Sequence, residues 1–270
     1  MDDARPWLRL SAGLLLTPAV VALALGVLPR VHTSEELGNL VAFAGATGVA
    51  IAGLALAVPA RVPARVALSL AAAAAIAIGV LAYLHSSSGV ALVAVHSALV
   101  CLAWGLGASL GRSVQHATHL FPACVVAASA DVVSLVSPEG PSHAVANSER
   151  ALSVLAMWFP VPGSSAVAPA LGVGDLLFMA FVLGVASTHG LGVLRAVGCC
   201  ALGVAAAGFA AASLGVAVPA LVPIAVATVI GLPSIRRLRA VDRRAAQWSM
   251  LIAASVALAT IARRALGHWP

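Results

Sequence analysis

The chain contains no lysine; all fifteen of its basic residues are arginine. Acids are scarcer still, with nine aspartates and glutamates in 270 residues, so charged residues make up only 9% of the sequence. A soluble domain carries about a quarter charged residues, because its surface faces water. Hydrophobic residues reach 61% here, and the mean hydropathy is +1.06. An ordinary soluble domain is excluded, and lipid is the natural solvent for most of the exterior.

The net charge of +6 does not point to nucleic acid. The arginines sit in short hydrophilic gaps between apolar runs, not along one helix face, which is the pattern of membrane orientation by positive loops. Cysteine offers no framework either. Cys101, Cys124, Cys199 and Cys200 all lie in apolar runs. No pair has zinc-ligand spacing with histidine partners, and adjacent Cys199 and Cys200 are poorly disposed for a disulfide. They read as small buried hydrophobes.

A membrane-crossing helix needs roughly 20 mostly apolar residues. About nine such runs are predicted, at 8–28, 40–60, 66–84, 89–110, 117–137, 166–187, 190–212, 216–234 and 247–263. The expected fold is therefore an all-α, polytopic transmembrane bundle. The first run, interrupted by Thr17-Pro18, reads as a retained span and not a cleaved signal peptide. The one long connection, 138–165, is polar and then amphipathic, and Ala151 to Phe159 is expected to lie at the interface or form a short strand. The chain divides into N-terminal scaffold helices (1–115), a central segment with the chemistry (116–234), and a basic loop with one further helix (235–270).

Arginine placement predicts the topology. With a cytoplasmic N-terminus, the inner side holds Arg5, Arg9, Arg61, Arg65, Arg112, Arg236, Arg237, Arg239, Arg243 and Arg244. The outer side holds Arg30, Arg150, Arg263 and Arg264, while Arg195 falls within a span.

Seven of the nine acids fall in termini or loops: Asp2, Asp3, Glu35, Glu36, Glu139, Glu149 and Asp242. Asp131 and Asp175 alone sit inside apolar runs. A carboxylate in hydrocarbon costs at least ~2.5–3.5 kcal/mol, which makes an intramembrane acid a functional-site hypothesis by default. The bland alternative is a neutral Asp bonded to a neighbouring helix. The two runs flank the 138–165 connection, and counting 1.5 Å per residue puts the acids about 9 and 14 Å from its side of the membrane. Two facing carboxylates share one proton: the ionised one activates water, and the protonated one polarises a peptide carbonyl. No metal or cofactor is required, and His96, His116 and His119 form no ligand cluster with the acids.

The flanking residues add parts to this site. Gly172 and Gly174 precede Asp175 in LGVGD, removing side chains beside the carboxylate. Pro219 and Pro223 in VPALVPIAV interrupt helical hydrogen bonding and free backbone groups that a bound peptide can pair with.

An Asp in one span, GxGD in the next and a Pro-Ala-Leu tripeptide further on resembles the presenilin and signal-peptide-peptidase family of intramembrane aspartyl proteases. ADVVSLVSPEGPSHAVANSER (130–150) is similar to the stretch after the first presenilin aspartate, including the turn Pro138-Glu139-Gly140-Pro141 and the segment Ser148-Glu149-Arg150. Gly184-Val185-Ala186-Ser187 follows the same pattern, and the likeness covers about 120–230. It implies Asp131 and Asp175 as the catalytic dyad, Gly172 and Gly174 shaping the site, and Pro219, Ala220 and Leu221 contacting substrate. The implied partners are transmembrane protein substrates within a lipid bilayer, without nucleic acid.

The sequence departs from the family twice. Ala130 stands where the family has tyrosine before the first aspartate. The acids fall on the fifth and sixth predicted runs, not the sixth and seventh, with one run after the Pro-Ala-Leu element. The arginine count then makes the connection between the acids non-cytoplasmic, as in signal peptide peptidase. Alternatives are a prepilin-peptidase-like protease, for which the lysine expected after GxGD is missing, a proton- or cation-coupled transporter using the same acids, and a catalytically silent scaffold. Arginine without lysine and abundant alanine suit a high-GC prokaryote, hence a cytoplasmic membrane.

Overall fold

The computed structural model describes residues 5–60, 62–84, 88–214 and 218–267. Asp2, Asp3 and Arg61, assigned above to a terminus and a loop, lie outside the described residues, as do 216 and 217 of one predicted span. The helices are α1 (Arg5–Val27), α2 (Glu35–Ala57), α3 (Ala64–Leu84), α4 (Gly89–Leu102), α5 (Ser109–Ser113), α6 (Leu120–Val136), α7 (Pro141–Ala146) and α8 (Glu149–Leu155). Two strands follow, β1 (Ala156–Pro160) and β2 (Val167–Gly172), and then α9 (Val173–Thr188), α10 (Val193–Leu214), α11 (Leu221–Gly231) and α12 (Ala240–Ala265). Among the described residues, seven helical stretches are long and apolar enough to cross a membrane, and α9 and α11 are shorter apolar helices. The protein is a multi-pass helical membrane protein.

Residues fall into two compact units, Met1–Ser113 with Arg150–Thr188 and Val114–Glu149 with His189–Pro270. The central segment 116–234 is thus shared between them. In the first unit, α4 passes through a π-helical turn, Ala103–Ala108, into α5. There the Trp104 indole donates to the Ala57 carbonyl (3.0 Å), and the Arg112 guanidinium donates to Val58 O (2.9 Å), satisfying carbonyls at the end of α2. Gly107 and Gly111 lie against the backbone of α9, where a side chain would collide with the carbonyls of Leu177 and Phe181. In lipid, where apolar burial drives little, such backbone proximity is a main source of helix association.

The predicted helix over 166–187 is corrected. Its first third is strand β2, paired antiparallel with β1, and α9 begins only at Val173. A short apolar run looks alike as strand or helix, and only its partner decides. That partner is the expected interfacial strand, whose helical portion is α8 and whose strand is 156–160. The ladder skips Ala170, so Met157 faces Leu171 and Trp158 faces Pro169, which has no N–H to give. The Trp158 N–H donates outside the ladder, to His96 Nε2 at 3.1 Å. His96 is fully buried on α4 and bonds Leu92 O through Nδ1 (2.7 Å). An Nε2 that accepts leaves the ring proton on Nδ1, so this imidazole is neutral with both nitrogens used.

In the second unit, α6 packs on α7, α11 and α12, and α10 packs on α11. At one end His119 Nε2 meets Asp242 Oδ2 (3.2 Å), and at the other Arg264 donates to Val136 O (2.9 Å). The C-terminal helix α12 therefore runs parallel to α6 along its length. Arg195, read as lying within a span, is an exposed residue of the first turn of α10.

Candidate active site

Asp131 belongs to the second unit, five residues before the end of α6, and its side chain is half-buried. Its Oδ2 accepts the backbone N–H of Leu221 at 3.0 Å. Leu221 opens α11, so this is one of the first-turn donors that a helix cannot satisfy internally. Ala220, the residue before α11, already has helical dihedrals (φ −73°, ψ −25°), so the Leu221 N–H stands at the head of the helix. The remaining backbone groups of the motif are largely used as well. Pro219 O accepts from Val222 N (3.4 Å) and Ala220 O from Ile224 N (3.3 Å). Pro223 sits in the first turn of α11, where a missing N–H costs little. The expectation that these prolines leave backbone groups free for a peptide is corrected at Leu221, whose N–H is held by Asp131.

Beyond the end of α6, the Pro138–Pro141 turn folds back tightly. Gly140 N donates to Ser137 O (2.9 Å), and Ser134 Oγ accepts from Ser142 N (2.8 Å) and bonds Ser142 Oγ (2.7 Å). A side chain at Gly140 would collide with Ser134 O. Ala130 is exposed.

Asp175 belongs to the first unit and is the third residue of α9. The depth count that placed it about nine residues into a helix is corrected by the strand before Val173: Asp175 lies in the first helical turn. Its Oδ2 accepts the N–H of Gly172 at 3.0 Å. This is half of a capping box, an acid at the third helical position reaching back to the residue before the helix, and a carboxylate there also suits the helix dipole. Gly172 and Gly174 differ in kind. A Cβ at Gly172 would sit 3.4 Å from Asp175 Oδ2, whereas Gly174 is exposed with nothing within 4 Å of such an atom. Gly174 borders an apolar cavity of about 620 Å³, which Leu68, Gly107, Ser113, Leu177 and Phe181 also line.

Among the four cysteines, Cys124, Cys199 and Cys200 are buried and Cys101 is partly so, all as free thiols. Among the described residues, no three His, Cys, Asp or Glu side chains are grouped to hold a metal ion. Two features were invisible in the sequence. The Asp131–Leu221 bond joins positions 90 residues apart, and the role of His96 depends on a strand irregularity 62 residues away. Compared with known proteins, the chain matches no family model, no curated protein and no solved structure.

Proposed function

We propose that the chain is an intramembrane aspartyl protease of the presenilin and signal-peptide-peptidase type, hydrolysing peptide bonds in transmembrane segments. The observation that carries this reading is the hydrogen bond from Leu221 N to Asp131 Oδ2. A structural aspartate in lipid needs any partner; this one is held by the Pro-Ala-Leu element that the resemblance assigns to substrate contact. The strand β2 running directly into the Gly172–Asp175 turn adds support, since an extended segment beside an acid suits recognition of an unwound peptide through its backbone.

In the proposed reaction Asp131 and Asp175 share one proton. The ionised carboxylate takes a proton from water as the water oxygen attacks the substrate carbonyl, and the protonated carboxyl donates to the carbonyl oxygen. Collapse of the tetrahedral intermediate returns that proton and delivers one to the leaving amine. A side chain free to act must give up local bonds, so the helix-capping bond of Asp175 and the Leu221 bond of Asp131 define the resting state. The proposed setting is a prokaryotic cytoplasmic membrane, with the connection between the acids facing away from the cytoplasm.

The test is cleavage of a labelled transmembrane peptide by purified protein in lipid. Asp131→Asn and Asp175→Asn are each expected to lower the rate by about 100- to 10,000-fold. Undiminished cutting by either variant overturns the assignment, and acid-dependent ion flux in liposomes without any cutting assigns the same acids to transport.

A further inference from the structure

From the connection after α11 into the first turns of α12 the chain places Arg236, Arg237, Arg239, Arg243 and Arg244, all exposed. One acid lies among them, Asp242, and it is already engaged by His119 at 3.2 Å. Arg239 is likewise occupied, its guanidinium resting on His116 Nε2, and Arg236 bonds Ile230 O (3.4 Å). These contacts tie the segment down and concentrate positive charge on a fixed surface. The position is electrostatically wrong for a helix in isolation. Arg239 immediately precedes α12, and Arg243 and Arg244 follow within its first turns, at the end where the helix dipole favours anions and disfavours cations. The opposite end of α12 has the favourable arrangement, Arg263 and Arg264 in the last turn.

Down the helix from Arg244 the exposed surface changes character in a definite order. Trp248 lies four residues on and faces outward, followed by exposed Leu251 and Ile252. Positions four, seven and eight residues apart share one helical face. At 1.5 Å per residue, Trp248 is about 6 Å and Ile252 about 12 Å below Arg244. Charge, amphipathic ring and aliphatic surface thus follow one another in the order of a phospholipid's phosphate, glycerol-ester region and acyl chain.

We infer that Arg244 and the face of α12 carrying Trp248, Leu251 and Ile252 form a binding site for an anionic phospholipid, with Arg243, one residue round the helix, adding to its positive charge. The phosphate of the headgroup offsets the repulsion among the guanidiniums and the helix dipole, and the acyl chains lie along Leu251 and Ile252. Arg237 adds to the field without a bond of its own to the ligand. The site does not depend on the catalytic reading.

The experiment is native mass spectrometry of the full chain in detergent, presented with phosphatidylglycerol, phosphatidylcholine or inorganic phosphate. Phosphatidylglycerol is expected to be retained over phosphatidylcholine. That preference falls about 30-fold in the double variant Arg243→Gln, Arg244→Gln, at about fivefold per arginine, and persists in Arg243→Lys, Arg244→Lys. Equal retention of the two lipids, or a preference that survives the glutamines, overturns the proposal. Displacement of phosphatidylglycerol by millimolar phosphate overturns it too and assigns the surface to a free anion. Binding in detergent is blind to membrane orientation, so a role of these arginines in topology alone gives equal retention.

Discussion

The backbone N–H of Leu221 donates to Asp131 Oδ2 across 3.0 Å, linking the head of α11 to an acid on α6. The bond explains how a carboxylate is tolerated in an apolar helix. It also separates the structural and chemical roles of Asp131, because an amide can replace the acceptor but not the acid.

Asp131→Asn is therefore expected to keep the fold, since its carbonyl accepts from Leu221 N–H, while losing cleavage of transmembrane peptides. Asp131→Leu leaves that N–H without its partner and costs about 1–3 kcal/mol of stability. Thermal unfolding in detergent measures both. Equal destabilisation by Asn and Leu would show that the hydrogen bond is not what holds α11 to α6.

Gly174→Ala separates site from scaffold in the same way. Open space surrounds the position, and alanine in a helix is about 0.5–1 kcal/mol better than glycine, so unfolding should shift upward or not at all. If the glycine keeps the approach to Asp175 clear, cleavage falls about tenfold or more, equivalent to about 1.4 kcal/mol on the barrier. Gly111→Ala should behave oppositely. Its side chain meets the carbonyl of Phe181, and forcing α5 from α9 costs about 1–3 kcal/mol.

Gly140→Ala tests the turn beyond the end of α6. The new methyl would collide with Ser134 O, a backbone atom that cannot rotate away. The expected loss is about 2 kcal/mol or more, with faster proteolysis between 137 and 149. Ser142→Ala removes only a hydroxyl partner of Ser134 and is expected to cost about 0.5–1.5 kcal/mol.

His96 supplies the acceptor for Trp158 N–H where the strand ladder skips a residue. His96→Leu leaves a buried donor unpaired, at about 1–3 kcal/mol, and the Trp158 amide should exchange with solvent faster than its neighbours. His96→Gln keeps a carbonyl acceptor and should restore part of the protection. Unchanged exchange in the leucine variant would assign the amide another partner.

Membrane residence was legible in composition alone, because 9% charge cannot cover a water-facing surface. The long helices follow for the same reason: in lipid a backbone must satisfy its own hydrogen bonds, and about 20 apolar residues permit little but a helix. Asp131 and Asp175 stood out because an acid in such a run is costly wherever it ends up. The run at 166–187 was misread because Val167–Gly172 is equally apolar as strand or helix. Its state depends on Ala156–Pro160, with which it pairs, and on His96, which completes the ladder at its irregularity.

The sequence by itself thus determined the solvent, the helical class and the identity of the two unusual acids, all of which depend on local transfer energies. Tertiary structure alone decided what each acid bonds to. Leu221 reaches Asp131 only because α11 packs on α6, and Asp175 caps α9 only because a strand ends at Gly172. The partner of Asp131 lies 90 residues away and no local property of the residues encodes it, whereas the Asp175 bond is a local cap whose place is set by where β2 ends.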